Sequence, residues 1–368
     1  MAVYAIAHND ADGIVSARLL EKMEGAKAIF QTWDRFGISP RDEVISQLLN
    51  ERGNTIFIID LGCSKETLET CQRLAGSNKV VLIDHHLPDE GGDPFTYASP
   101  SLSIIHSLEN CTSGLVYNYG RAMGKSMDYW CSFWATVGII ADVAEETVGG
   151  KEILETIRKS IPQLFWKRVF WSGRSEFTVS FASSVGSMIN AARRLAYHYG
   201  APVALEALKE IERAGILMAI NPIPHEVDFR EEAQYPHLAL LRRWHNTWLE
   251  KKDEIFEREN IVNIDFDSFG ISIVNHPWDI AGYVANVKSG NKPWFAINYG
   301  VPGPRANMSA RSRDQRVNLN DAMKRLAEIT EGRITGGGHA AAVGGLIDRS
   351  MSIFEVVNAI ERAMGGGI

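Results

Sequence analysis

The sequence predicts an α/β protein: an N-terminal parallel-sheet domain and a smaller C-terminal α/β domain, joined by a helical linker. Three observations predict it. Over the first third of the chain, short and nearly all-apolar runs alternate with helical patterns, as parallel strands covered on both faces require. From about 150 to 260 the patterns are helical, and strand–helix alternation returns at 261. The length of 368 residues also exceeds one ordinary core, at about 150 residues per domain. The expected domains are 1–150, a helical connecting region 151–260, and 261–368, with the active site in the cleft between the two α/β parts.

The elements follow in order. VYAIA (3–7) is a strand ending on His8, and a helix starts near Gly13. Further strand-like runs are AKAIFQTW (26–33), NTIFIIDLG (54–62) and KVVLIDHH (79–86). The helical segment SPRDEVISQLLN opens on Ser39-Pro40, with proline near its first turn. SKETLETCQRLA opens at Ser64, a good N-cap residue. Two more helices are expected from Thr112-Ser113-Gly114 and from Tyr129 to about Val143. The latter is apolar nearly all round, so it should be buried, which singles out its one acid, Asp142. ALEALKEIERAGILMAI and LALLRRWHNTWLEKKDEIFEREN carry apolar residues at three- and four-residue intervals, and the second suits a long helix between domains. After 261 come VNIDFDSFGISIVN, a helix at PWDIAGYVANVKSG, the strands PWFAINYG and RANMSARSR, and a helix at 319–329. Gly336-Gly337-Gly338-His339 reads as a glycine turn leading into AAAVGGLI.

Hydrophobic content of 45% and charged content of 23% are ordinary for a globular chain. No uninterrupted apolar stretch of about 18 residues exists, so no membrane span is expected. The N-terminus reads as a first strand rather than a signal sequence. Four cysteines without metal-ligand spacing read as reduced thiols, and a cytoplasmic protein follows. The net charge of −7 argues against a protein that holds long nucleic acid chiefly by neutralising phosphates. A nucleic-acid substrate would then be short or lie in a locally basic groove.

The chemistry-bearing residues share one kind of place. His8, Asp60 and Asp84 each fall at the carboxyl end of a strand-like run, the edge where open parallel sheets bind ligands. Asp10, Asp12, His85 and His86 extend the set. Clustered carboxylates repel, and a pair of divalent cations removes that penalty. Mixed carboxylate and imidazole donors favour Mn²⁺, with Mg²⁺ also fitting. Two such ions about 3.5–4 Å apart can serve a phosphoryl transfer. Plainer readings stand beside this one: Asp10 and Asp12 also suit a helix N-terminus, and Asp142 suits a helix cap.

Taken together, HNDADG (8–13), IIDLG (58–62), LIDHHLP (82–88) and IADV (140–143) resemble the DHH phosphoesterase superfamily, named for the triplet Asp84-His85-His86. MSARSR (308–313) and GGGHAAAVGG (336–345) resemble its C-terminal associated domain. MINAARRL (188–195) is similar to a segment of RecJ-type exonucleases, with Arg193 where those chains often carry glycine. The resemblance implies one metal on His8, Asp10 and Asp60, and a second on Asp12, Asp60, His85 and Asp142. It implies that Asp84 orients His85 or ligates directly, and that His86 faces the scissile phosphate. Arg311, Ser312, Gly337, Gly338 and His339 would bind substrate.

The expected function is metal-dependent hydrolysis of single-stranded nucleic acid or short oligonucleotides from an end. A small-nucleotide phosphatase acting on a 3′,5′-bisphosphate, or a cyclic-dinucleotide phosphodiesterase, is the enzymatic alternative. An inactive binding subunit of a replication complex is the other. No membrane partner is expected, and a homodimer is left open. Phe165-Trp166-Lys167-Arg168 and Phe170-Trp171, with Arg174, interleave aromatic and basic residues in a way that suits either base stacking or packing of the linker.

Overall fold

β1 (Val3–Ala7), β2 (Lys27–Phe30), β3 (Thr55–Ile59), β4 (Lys79–Asp84) and β5 (Leu102–His106) form a five-stranded, all-parallel sheet in the order β2-β1-β3-β4-β5. In this computed structural model the described residues are 1–31, 37–88, 92–165, 167–172, 175–215, 233–257, 261–313 and 317–365. Alternate residues of β1, β3 and β4 feed two separate cores. Ala5, Phe57, Ile59, Val81 and Ile83 pack on one face with residues of α1 (Ala11–Glu24), including Ile14 and Val15. Ile6, Ile56, Ile58, Val80 and Leu82 pack on the other with residues of α2 (Glu43–Asn50) and α3 (Lys65–Ala75). Burial on both faces is why these strands read as continuous apolar runs.

Two sequence expectations shift here. The helix opening on Ser39-Pro40 starts at Glu43 instead, because Asp42 accepts the Ser39 N–H at 2.8 Å and holds 39–42 as a turn. β5 is absent from the sequence reading; it is an edge strand whose middle residues are only half-buried, so its apolar signal is short.

α4 (Thr112–Ala122), α5 (Tyr129–Ala141) and α6 (Val148–Ser160) complete the first face. Phe133 and Trp134 of α5 are fully buried, as its all-round apolarity requires. The stretch expected to be wholly helical contains an antiparallel hairpin, β6 (Lys167–Ser172) with β7 (Ser175–Ser180). It precedes α7 (Phe181–Ala196) and α8 (Gly200–Ala214). Trp166 and Arg174 lie outside the described residues, as do the side chains of Lys167, Arg168, Phe170 and Trp171, and with them most of the aromatic–basic segment. Phe165 itself sits under the Arg158 guanidinium, 4.6 Å from the ring centroid. α7, α8 and α9 (Pro236–Lys251) bury Val185, Ile189, Leu208 and Leu241 in the same core as α1 and α5. By contacts, the first compact unit therefore runs Met1–Glu250. The long linking helix expected over 238–260 ends at Lys251, followed by the short α10 (Glu254–Glu257).

The second unit, Lys251–Ile368, is built on a six-stranded mixed sheet. Its strands are β8 (Ile261–Asp265), β9 (Gly270–Val274), β10 (Trp294–Asn298), β11 (Arg305–Arg311), β12 (Ile334–His339) and β13 (Ala342–Asp348), in the order β12-β13-β11-β10-β9-β8. α11 (Ala281–Lys288) crosses between the parallel pair β9 and β10. α12 (Leu319–Ile329) and α13 (Ile353–Ala363) bury Leu319, Met323, Val356 and Ile360 against the sheet. The expected glycine turn at 336–339 is a strand instead. Gly336 pairs with Gly345 and Gly337 with Gly344, and a Cβ on Gly336 would lie 2.2 Å from the Gly344 carbonyl oxygen. Glycine here permits close strand approach rather than a bend. None of the described helices is long and apolar enough to cross a membrane.

Candidate metal centre

The carboxyl ends of β1, β3 and β4, three adjacent inner strands, carry His8, Asp60 and Asp84 to one edge. Asp10 and Asp12 open α1 directly above β1. Asp10 is its N-cap, with Oδ1 accepting the Gly13 N–H at 3.0 Å, so the plain capping reading holds for one of its oxygens. Oδ2 lies 2.8 Å from His8 Nδ1. Gly13 lets the helix start this close to the strand, since a Cβ there would stand 2.4 Å from the His8 carbonyl oxygen.

Asp12 points toward α4. Its Oδ2 accepts the Thr112 N–H at 2.8 Å and its Oδ1 the Ser113 N–H at 2.9 Å, which satisfies the first amides of that helix. Asp60 takes a left-handed backbone, φ 61°, an uncommon conformation for any residue but glycine. Its Oδ1 accepts from the Thr112 hydroxyl at 3.0 Å, while its buried Oδ2 accepts no hydrogen bond from the described residues and lies 3.6 Å from His8 Nδ1. Asp12, Asp60 and Asp84 are 2%, 3% and 0% exposed, so three acids are sealed from bulk water at one sheet edge.

Thr112 also settles a tautomer. Its only hydroxyl proton goes to Asp60, so the 2.9 Å contact with His85 Nδ1 has the ring N–H as donor. That places the neutral ring's lone pair on Nε2, which faces Asp142 Oδ2 at 3.3 Å. Between a ring lone pair and a carboxylate oxygen, only a proton or a cation makes the contact favourable. Asp142 caps α5, and the next residue, Val143, has φ 59°, a conformation β-branched side chains avoid. Backbone strain therefore sits at one of the acids and directly after another, as functional sites often show.

Asp84 bonds His86 directly. Its Oδ1 accepts the His86 N–H at 2.7 Å and lies 3.1 Å from His86 Nδ1, while Oδ2 accepts the Gly62 N–H at 2.7 Å. The two imidazoles stack at 4.3 Å between centroids. His106 Nε2 contacts the His86 carbonyl oxygen at 2.8 Å, anchoring the turn from the end of β5. Cys63, Asp84 and His106 also cluster, with the Asp84 oxygens on the Gly62 and His86 amides much as the Asp12 oxygens are on those of Thr112 and Ser113.

The electrostatics divide the acids. Burial pushes Asp60 and Asp142 well above the ordinary carboxylate range, and neighbouring Asp10 and Asp12 charges add to it. Burial also raises Asp12 against the Ser113 hydrogen bonds. Asp10 moves the other way: burial opposes, but the His8 and Arg193 charges and the Gly13 amide hold it low. Asp84 is likewise held low by His86 and His85 despite burial. In return, and again against burial, Asp84 lifts the His86 imidazole to about 10.

Two donor groups result, His8–Asp10–Asp60 and Asp12–His85–Asp142, each offering atoms within 4.8 Å of one another. Carboxylate and imidazole donors, an Asp60 oxygen that accepts no hydrogen bond from the described residues, and acids whose charge is opposed by burial all fit divalent cations such as Mn²⁺ or Mg²⁺. In the second unit the pairing puts Arg311, Ala342 and His339 in one row across β11, β13 and β12. Arg311 NH1 is held by Ser309 Oγ at 2.8 Å and by the Val343 carbonyl at 3.1 Å, and the buried Ser312 donates its N–H to the Ala341 carbonyl. Gly337 and Gly338 lie in β12 beside them. Sequence reasoning missed Thr112 as a hub, along with Ser113, Asn190 and His106. Only the Thr-Ser-Gly helix start signalled the first two.

The family model described as the DHH family, N-terminal domain, matches residues 2–159. Among solved structures, a DHH-domain protein described as a member of a family of ribosomal proteins is 13% identical, with a TM-score of 0.63, covering 98% of this chain and 86% of that one. RecJ from Thermus thermophilus in complex with Mn²⁺ is 16% identical, with a TM-score of 0.62; the match covers 98% of this chain and 52% of RecJ, so the chain spans about half of that protein. An exonuclease RecJ bound to manganese is 17% identical, with a TM-score of 0.61, covering all of this chain and 91% of that one. At such identities the likeness is one of fold. No curated protein matches the chain.

Proposed function

From the match of residues 2–159 to the DHH family, N-terminal domain, and the RecJ-like fold of the chain, we propose a metal-dependent phosphoesterase that cleaves single-stranded nucleic acid or short oligonucleotides from an end. One observation carries the reading. Two donor groups of carboxylate and imidazole meet at the carboxyl edge of the sheet, and a buried Asp60 oxygen there accepts no hydrogen bond from the described residues.

In this reading His8, Asp10 and Asp60 hold one Mn²⁺, and Asp12, Asp60, His85 and Asp142 the other. When bound, the two ions supply charge neutralisation for the phosphoryl group and an activated water as nucleophile. Thr112 keeps the donors aimed by hydrogen-bonding Asp60 and His85 at once. His86, cationic through its pairing with Asp84, stabilises the substrate phosphate or the leaving oxygen. We assign the chemistry to residues 1–150, the helical connection to 151–260 and the grip on substrate to 261–368, through Arg311, Ser312, Gly337, Gly338 and His339. RecJ structures of the same fold carry Mn²⁺ in two cases and Mg²⁺ in another, which supports a divalent ion of this kind.

A second reading, a small-nucleotide phosphatase or cyclic-dinucleotide phosphodiesterase, is favoured by the net charge of −7. Rates on a single-stranded oligonucleotide, a linear dinucleotide, a cyclic dinucleotide and a 3′,5′-bisphosphate nucleotide, each with Mn²⁺, separate the two. Exonucleolytic shortening of the oligonucleotide is expected. Faster turnover of the bisphosphate nucleotide would overturn the exonuclease reading in favour of the second.

A further inference from the structure

α7 brings two polar side chains to the start of α1, one helical turn apart. Asn190 accepts the Ala11 N–H on Oδ1 at 3.1 Å and ties the helix to the residue after the Asp10 cap. Three residues on, Arg193 sets NH1 3.7 Å from Asp10 Oδ2. That oxygen is also the one 2.8 Å from His8, so it belongs to the first donor group. The neighbouring Arg194 is directed elsewhere, over the Trp248 ring at 4.7 Å. Arg193 is therefore the α7 cation mounted at the centre, with about a quarter of its side chain exposed.

Charge decides what it does there. Asp10, Asp12, Asp60 and Asp142 carry four negative charges that two divalent cations neutralise. In an empty centre the Arg193 guanidinium rests on a carboxylate that the cation needs, and a cation placed on that carboxylate repels it. A planar guanidinium matches phosphate oxygens in geometry and charge.

Resting on the metal-centre reading above, we propose that Arg193 is a specificity-determining residue that exchanges partners: it holds Asp10 while the centre is empty, and takes a phosphate oxygen of the substrate once a cation occupies that carboxylate. Two consequences follow. Arg193 competes with the first cation, and by linkage cation binding raises the affinity for phosphate more than charge alone would.

The test is calorimetric titration of Mn²⁺ into metal-free protein, then of inorganic phosphate into Mn²⁺-loaded protein, for wild type, Arg193→Gln and Arg193→Lys. Thermal melts confirm that each variant is folded. Arg193→Gln should bind Mn²⁺ several-fold more tightly, having lost a competing cation, and bind phosphate about tenfold more weakly. Arg193→Lys should recover part of the phosphate affinity, since it keeps the charge without the planar fork. If Arg193→Gln binds both Mn²⁺ and phosphate as wild type does, the exchange is refuted while the metal centre stands. If wild type binds no Mn²⁺, the metal-centre reading fails and the inference with it. Both variants melting far below wild type, with Mn²⁺ affinity unchanged, would refute the exchange in favour of a purely structural anchor.

Discussion

The two ends of α1 carry charge clusters of opposite design. At its C-terminal end, Glu212 accepts from Arg18 at 2.7 and 2.8 Å, from Lys22 at 3.1 Å and from the Trp134 indole at 2.7 Å. Arg18 also reaches Glu21 at 2.6 Å, and Lys22 reaches Asp128 at 2.8 Å. Acids and bases alternate there, and every charge meets its opposite. At its N-terminal end, Asp10, Asp12, Asp60 and Asp142 gather with far less opposing charge. Ionisation behaviour follows. Despite burial, Glu212 is held below the ordinary Glu range, while Arg18 and Lys22 are raised. Asp60 and Asp142 are pushed up. A chain that needed only stability could have balanced both ends. The unbalanced end has its counter-charge left to be supplied from outside, and that contrast distinguishes a binding site from a structural network more sharply than the acids themselves do.

The largest expected effect tests the unbalanced end. Asp60→Asn keeps a side chain tolerant of the left-handed backbone but removes the donor charge that the proposal places on both ions. Hydrolysis of a labelled oligonucleotide should fall by about a thousandfold or more, a few kcal/mol of transition-state stabilisation. The melting temperature of the metal-free variant should hold or rise, and a clear fall would erase the contrast between the two ends.

The converse variant, Glu212→Gln, should cost about 3 kcal/mol in urea unfolding, because Arg18 is left buried with less opposing charge. Mn²⁺ affinity should not change. The pH dependence follows from the sign of the shift. A carboxylate with a depressed folded pKa contributes stability above its ordinary value of 4.5, and that contribution is lost as pH falls through the lower folded value. Wild type should therefore lose stability in that acid window, and Glu212→Gln should lose less.

Next in size, saturating Mn²⁺ should stabilise wild type by about 2.7 kcal/mol at a hundredfold excess over Kd, read as a rise in melting temperature. Asp60→Asn should show little of it. The smallest effect belongs to Val143→Gly. Relief of the left-handed strain should stabilise the metal-free protein by about 1 kcal/mol, with Mn²⁺ binding weakened as Asp142 loses its fixed aim. Tighter Mn²⁺ binding would show that the strain does not serve the site.

Much of this was legible in the residues. VYAIA, TIFII and KVVLID announce themselves as two-sided buried strands, and once they are parallel, His8, Asp60 and Asp84 must share an edge. β5 was not legible, because the edge strand Leu102–His106 holds its apolar residues in a run of only two beside Leu102, interrupted by the exposed Ser103. The hairpin at 167–180 interrupts a helical region whose periodicity on either side is real. Gly336–Gly338 misled because glycine marks both turns and close strand contacts, and only the facing Gly344 and Gly345 decide between them. Within the centre, the partner of Asp84 could not be read from spacing: His85 and His86 are adjacent, and the choice rests on which ring swings back over the strand end. Thr112 escaped notice for a related reason, since a helix-opening threonine reads as a cap, and its hydroxyl is spent on Asp60 and His85 instead.

The order of strands has a kinetic consequence. Donors at positions 8, 60, 85 and 142 meet only after β1 has paired with β3 and β3 with β4, and after α5 has docked. No short segment holds enough of them to capture a cation early, so the ions arrive at a finished sheet. Mn²⁺ should then leave the refolding rate nearly unchanged and slow unfolding in proportion to its affinity, making the bound centre a latch on the native state rather than a template for reaching it.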